Sequence, residues 1–284
     1  MRSAREIVQA LRVSELMNER AHRVFEVLNR RNVADQEVAF GARPFILCGL
    51  PIRPLPKGSL TYRRQNGRFC LEITGHPNWG VPFGQDRLVL LYLATQAVRN
   101  QSREVRFRSG AELLIEWGMP TNGAHYKRLV CAFRRVFGST IFFGTSEERT
   151  NLEVWQCSRV HFFDSLKLWV ANSGERTGNR DNAVTLSEAF WQELQEHPIP
   201  VDAEVVRALA RNPGCLDLYT WLTWRCYQAR GPARVPLFGM HGLANQLGVQ
   251  VYARERKFRE RKAVLLAHCE MDQQPGRAAR NDLQ

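Results

Sequence analysis

Residues 110–137 read GAELLIEWGMPTNGAHYKRLVCAFRRVF, and this stretch decides the fold. Two runs of apolar residues at helical spacing flank Gly118-Met119-Pro120, a sequence that stops one helix before the next begins. Ser109 stands at an N-cap position, and Glu112 three residues on completes the pattern of a capping box for a helix ending at Trp117. Asn122 is placed to cap a second helix, expected from Ala124 to Phe137. Two helices joined by a short Gly-containing turn form a helix-turn-helix, whose second helix suits the major groove of a duplex. That helix carries Lys127, Arg128, Arg134 and Arg135 and no acidic residue. Asn122, His125 and Tyr126 lie at its N-terminal end, where base edges are read.

Working outward, Asp86 to Val98 alternates at helical spacing, and Glu104 to Phe107 reads as a short strand. Beyond the second helix, Ser139–Phe143 and Leu152–Val160 are rich in Phe, Ile, Val and Trp and predict two strands. The polar residues Gly144 to Asn151 between them read as a turn. Helix, strand, helix, helix, strand, strand is the order of a winged helix, assigned to residues 79–170. Upstream, repeated Pro and Gly over 41–82 exclude long helices, and three short strands are expected at Phe45–Cys48, Leu60–Arg63 and Arg68–Ile73. Gln65-Asn66-Gly67 suits a hairpin turn between the last two. An amphipathic helix over 3–31 completes an N-terminal extension, residues 1–78.

Residues 171–183, ANSGERTGNRDNA, read as a linker. After it the layout returns. Val184–Leu186 is a strand, Ser187 caps a helix to His197, and Pro198 and Pro200 end it. Helices are expected over Val205–Ala210, Leu216–Ala229, Met240–Leu247 and Val251–Cys269, with 232–237 extended and a polar tail to Gln284. The expected fold class is therefore α+β and mostly helical, with two tandem winged-helix domains, the second over 184–284, and an N-terminal helical and strand extension.

Lys and Arg number 40 against 28 Asp and Glu, a formal charge of +12, which calls for an anionic partner. The last helix concentrates Arg254, Arg256, Lys257, Arg259, Arg261 and Lys262. Arg254, Lys257 and Arg261 share a ridge at spacings of three and four, while Phe258, Leu265 and Leu266 mark the side turned toward a core. A basic helix can also lie on anionic lipid, but this apolar face suits protein packing, so double-stranded DNA is the expected partner and a membrane is not. No apolar run is long enough to span a bilayer, and the N-terminus has no secretory pattern. Seven widely spaced cysteines and no C-x-x-C argue against a disulfide framework or a zinc site, so a cytoplasmic protein without metal or cofactor is expected.

Catalytic signatures are missing from the sequence. There is no phosphate-binding G-x-x-x-x-G-K-[ST] loop, G-x-S-x-G elbow or H-E-x-x-H pair. A DNA-nicking initiator of rolling-circle type needs a His-hydrophobic-His metal pair, and Val160-His161-Phe162-Phe163 offers one His. A non-enzymatic DNA-binding protein is the leading reading, with a transcriptional repressor of the same build as the alternative and a nicking enzyme as the second.

Several strings are similar to the plasmid-encoded RepA replication initiators. WGVPFGQDRLVLLYLATQAVRNQSREVRF (79–107) resembles that family's opening helix and strand. VTLSEAFWQELQEHPIPVD, NPGCLDLYTWLTWRCYQ and LANQLGVQVY with RKFRERK resemble its second half, LDLYTWL being the most specific string. The resemblance implies two tandem winged-helix domains, binding to repeated sites in a plasmid origin and opening of adjacent AT-rich DNA. It also implies recruitment of host DnaA and the replicative helicase, and a homodimer formed through the first domain with residues 1–82.

Overall fold

The computed structural model describes residues 37–66, 69–149, 152–168 and 182–229, with Gly231 and Leu243. The helix expected over 3–31, most of the linker, and, apart from Leu243, everything expected from 232 onward, including Arg254–Lys262, lie outside the described residues.

The described chain opens with β1 (Val38–Ala42), α1 (Arg43–Cys48), β2 (Thr61–Asn66) and β3 (Phe69–Thr74). A 3-10 turn (Gly84–Asp86) leads into α2 (Arg87–Asn100), then β4 (Glu104–Phe107), α3 (Gly110–Glu116) and α4 (Gly123–Phe137). β5 (Thr140–Arg149), β6 (Leu152–His161), β7 (Phe163–Lys167) and β8 (Asn182–Leu186) follow. The described elements end with α5 (Glu188–Glu196), β9 (Pro198–Asp202), α6 (Ala203–Leu209) and α7 (Pro213–Gln228). This is a mixed α/β fold in which strands take a share comparable to the helices, not a mostly helical one.

Three antiparallel sheets carry the strands, ordered β1-β9, β2-β3-β5-β6 and β4-β8-β7. α2 runs through the middle. Its residues Arg87 to Thr95 are all buried, as expected of a helix that is apolar on every side. Thr95 ties it to β1, its hydroxyl accepting the Phe40 N–H at 2.9 Å. Phe45, Phe162 and Phe190 meet with centroids 5.2, 5.6 and 6.4 Å apart, joining α1 and α5 to the corner between β6 and β7.

Several elements correct the sequence reading. Phe45–Cys48 is helical. Pro44 sits in the first turn, where its missing N–H costs nothing, and a four-residue apolar run has no period of its own. Pro198 and Pro200 do more than stop α5. They alternate exposed with buried Ile199 and Val201 in β9, which pairs Pro200 with Phe40 in a two-stranded sheet whose outer edges tolerate proline. The residues expected to form a turn after Phe143 continue β5 to Arg149, so the β5–β6 hairpin is longer than its apolar residues suggest. That hairpin pairs with β3. Two residues of the expected linker, Asn182 and Ala183, belong to β8, which runs between β4 and β7. The Asn182 side chain donates to the carbonyls of Phe107 and Arg108 at 3.3 and 3.2 Å.

Charged groups fasten the remaining elements. Arg43 grips Glu193 with two bonds of 2.8 Å, joining α1 to α5. Glu37 lies 2.5 Å from Arg207 and 3.2 Å from Arg99, linking the start of β1 to α6 and the end of α2. Burial raises the Glu37 carboxyl pKa, but Arg207 and then Arg99 outweigh it and hold the group below its ordinary 4.5. A carboxylate depressed in the folded state contributes stability above its unfolded pKa and loses it as pH falls through the folded one. Below pH 4.5 the urea midpoint of Glu37→Gln is therefore expected to fall less steeply than that of the wild type.

Candidate nucleic-acid interface

The turn between α3 and α4 is closed by backbone. Gly118 N–H donates to Ile115 at 2.9 Å and Met119 N–H to Leu114 at 2.7 Å. Gly118 has φ +61, a conformation that costs an L side chain about 1–2 kcal/mol. Gly118→Ala is expected to lower stability by about that amount, read as a shift in the urea midpoint. Trp117, fully buried, donates its indole N–H to the Leu88 carbonyl at 3.0 Å and pins the turn to α2. At the other end of α3 the approach to α4 is tight. A Cβ on Gly110 would lie 2.8 Å from the Tyr126 ring and 2.9 Å from Leu129.

The expected capping box at Ser109 does not form, because the Ser109 side chain makes no cap hydrogen bond. Glu112 instead accepts the Arg108 N–H at 3.0 Å, having folded back one residue further. Asn122 does cap α4, accepting the His125 N–H at 3.0 Å, and its Oδ1 lies 2.8 Å from His125 Nδ1.

α4 divides sharply. Leu129, Ala132, Phe133 and Val136 are buried, whereas Ala124, Lys127, Arg128, Cys131 and Arg134 are exposed at spacings of three and four. Lys127, Arg128 and Arg134 form no ion pair or hydrogen bond through their side chains among the described residues. Three cations without counter-charges among the described residues, flanked by small Ala124 and Cys131, make an electropositive ridge that a polyanion can approach closely. His125 and Tyr126 are half-buried at the N-terminal end, the Tyr126 ring packed toward α3.

Arg135 has a different role from the one expected. Its guanidinium makes two bonds to Asp86, Nε to Oδ2 at 2.6 Å and Nη2 to Oδ1 at 2.8 Å, and lies 4.6 Å from the centre of the Phe83 ring. Burial opposes its charge, but the Asp86 carboxylate more than offsets this and raises its pKa above the ordinary value. Arg135 is an internal anchor of α4. The basic cluster Arg254, Arg256, Lys257, Arg259, Arg261 and Lys262 lies outside the described residues.

The buried ion pairs escaped the sequence reading. Beside Asp86, Arg87 pairs with Asp217 on α7 at 2.7 Å. The signal was present as Asp86-Arg87 heading an otherwise apolar helix, but the partners lie 49 and 130 residues away. Among the described residues no group of three or more His, Cys, Asp or Glu side chains could hold a metal ion, and no helix is long and apolar enough to cross a membrane.

Comparison with curated proteins finds no match. Among solved structures, the crystal structure of selenomethionine derivatives of domains 2 and 3 of RctB aligns with a TM-score of 0.53 at 12% identity, covering 76% of this chain and 81% of that one. A second crystal structure of RctB domains 2-3 aligns with a TM-score of 0.46 at 12% identity, over 66% and 70% of the two chains. At this identity the likeness is one of fold. The family model described as plasmid encoded RepA protein matches residues 81–235, more than half of the chain, from before the 3-10 turn to beyond the end of α7. The chain belongs to the plasmid-encoded RepA family of replication initiators.

Proposed function

We propose that this chain initiates plasmid replication by binding repeated sites in the origin duplex through two winged-helix modules. The first is built from α2, β4, α3, α4 and the β5–β6 hairpin, with α4 in the major groove. The second spans residues 184–284 and includes Arg254, Arg256, Lys257, Arg259, Arg261 and Lys262, which lie outside the described residues. The observation that carries this reading is the acid-free face of α4, where Lys127, Arg128 and Arg134 stand exposed and, among the described residues, without counter-charges. Unpaired cations on one helix face release counterions from phosphates without first breaking ion pairs within the protein. Asn122 and Arg128, near the N-terminal end of α4, are the candidates for reading base edges.

The protein does this in the cytoplasm without chemistry of its own. It opens adjacent DNA with host DnaA and the replicative helicase, the partners that family membership suggests, and exchanges between monomer and homodimer. Repression of its own promoter from the same sites is compatible with this role.

The test is binding of the full chain to duplex DNA flanking its gene, as a function of salt. With about eight phosphates contacted, log affinity against log salt is expected to fall with a slope near −7, at about −0.9 per contact. A slope near zero contradicts the proposal. Supercoiled origin DNA incubated with the protein and Mg²⁺ is expected to stay uncut, and nicked circles would show an enzyme instead.

A further inference from the structure

Trp117, Trp191 and Trp221 are buried, whereas Trp79 is 37% exposed. Its loop holds it in place. Gly75 N–H donates to the Leu60 carbonyl at 2.8 Å, and the Trp79 and Gly80 N–H groups both donate to the His76 carbonyl, at 3.1 and 2.7 Å. The ends of the loop close so tightly that a Cβ on Gly75 would lie 2.5 Å from the Gly80 backbone. Asn78 N–H donates to Nδ1 of His76 at 3.1 Å, which orients the imidazole. That ring stacks on the indole with centroids 4.2 Å apart and planes inclined by 24°. Trp79 is thus backed by a second ring, in a loop with little freedom left to lose on binding.

The loop docks on the end of α4. Gly138, the C-cap, donates its N–H to the Arg134 carbonyl at 2.9 Å and so stays on the helical path. Spacings of four, three and four put Lys127, Cys131, Arg134 and Gly138 in one row. A Cβ on Gly138 would lie 2.7 Å from Cε3 of the Trp79 indole and 2.8 Å from the His76 Cβ. The last place in the exposed basic row therefore has no side chain of its own, and Trp79 and His76 lie against it, about one helical turn from Arg134. Within a closed duplex each base face is covered by its neighbours, so an aromatic side chain stacks on a base only where the strands are apart. An exposed indole beside cations without counter-charges among the described residues suits a single strand, with stacking on its bases and ionic attraction on its phosphates. We infer that Trp79, with His76 behind it, is a contact for single-stranded DNA, taking an unpaired base on the indole while Arg134 and Lys127 meet the adjoining phosphates. This rests on the proposed DNA-binding role of α4, but the ligand is a separated strand and the deciding residue is Trp79.

The experiment measures, by fluorescence anisotropy, binding of the full chain to a labelled oligothymidylate of about 16 nucleotides and to the origin duplex. Trp79→Ala is expected to lose about 10- to 100-fold in affinity for the single strand, the worth of one stacked base, and to bind the duplex within about twofold of the wild type. Trp79→Phe keeps an aromatic face and is expected to hold the single strand within about fivefold of the wild type. Each variant is checked for a cooperative melt. An oligothymidylate carrying iodouracil, irradiated with the wild-type chain, is expected to crosslink to Trp79, which reads the contact without any substitution. Crosslinks confined to other residues, or a folded Trp79→Ala chain that binds the single strand like the wild type, overturn the inference and leave duplex binding by α4 intact. So does a wild-type chain that binds the duplex and not the single strand. Equal losses on strand and duplex in Trp79→Ala overturn it as well, since the indole then serves the fold or the duplex. A wild-type chain that binds neither DNA overturns it together with the reading of α4.

Discussion

Replacing Asp217 by Ala is expected to destabilise the fold by about 3–5 kcal/mol, because it strands Arg87 in the core. The two side chains are 5% and 7% exposed, so water cannot take over the lost contact. A guanidinium does not give up its proton at any pH the protein survives, so Arg87 cannot become neutral as a buried Lys can. A loss of that size is a large share of the roughly 5–15 kcal/mol that holds an ordinary domain together. Equilibrium urea unfolding of Asp217→Ala should therefore show a much lower midpoint, with α2 and α7 losing protection together in hydrogen exchange. Arg87→Met/Asp217→Leu removes both charges together, so no buried charge is stranded; the Leu50 and Gly84 carbonyls lose a donor, and the loss of stability is expected to be well below that of Asp217→Ala. If Asp217→Ala unfolds at the wild-type midpoint, the pair does not join the two helices in solution.

The second large effect concerns binding. Lys127→Ala/Arg128→Ala/Arg134→Ala is expected to lose on the order of 100-fold in affinity for the origin duplex, at about 1 kcal/mol per phosphate contact and 1.4 kcal/mol per tenfold. The salt slope should become shallower by about 2.7, three contacts at about 0.9 each. Because these side chains are exposed and Ala is the best helix former, thermal stability should hardly change, and the loss can be assigned to contact rather than to unfolding. Arg128→Ala alone is expected to relax sequence preference. Asn122 needs a gentler probe. It caps α4, and Asn122→Ala would forfeit about 1 kcal/mol of helix stability, whereas Asn122→Ser keeps a capping oxygen. An unchanged slope in the triple variant would place the phosphates on some other surface.

What the sequence made legible follows from the range of the interactions involved. The α3–turn–α4 unit, the Asn122 cap, the Ser187 cap and the pairing of β2 with β3 are local, determined by residues a few positions apart, and they were readable, although Gln65 and Asn66, expected in the turn, extend β2 and pair with Cys70 and Phe69. Sites where distant chain decides were not. Phe45–Cys48 is too short for its period to show. β9 reads as a proline-broken stop until Val38–Ala42 is there to pair with it. Arg135 looked like one more DNA-facing cation, and only Asp86, 49 residues earlier, shows it to be an anchor. Arg87 likewise finds its partner far off, Asp217, 130 residues along the chain.

The claim that the exposed face of α4 lies in the major groove beside a second module is tested most directly by hydroxyl-radical footprinting of the full chain on its origin duplex. Protection is expected on one face, in two segments with centres about 34–36 Å apart, or one helical turn. The Lys127/Arg128/Arg134 alanine variant should lose one of those segments. A footprint that this variant leaves unchanged would contradict the account.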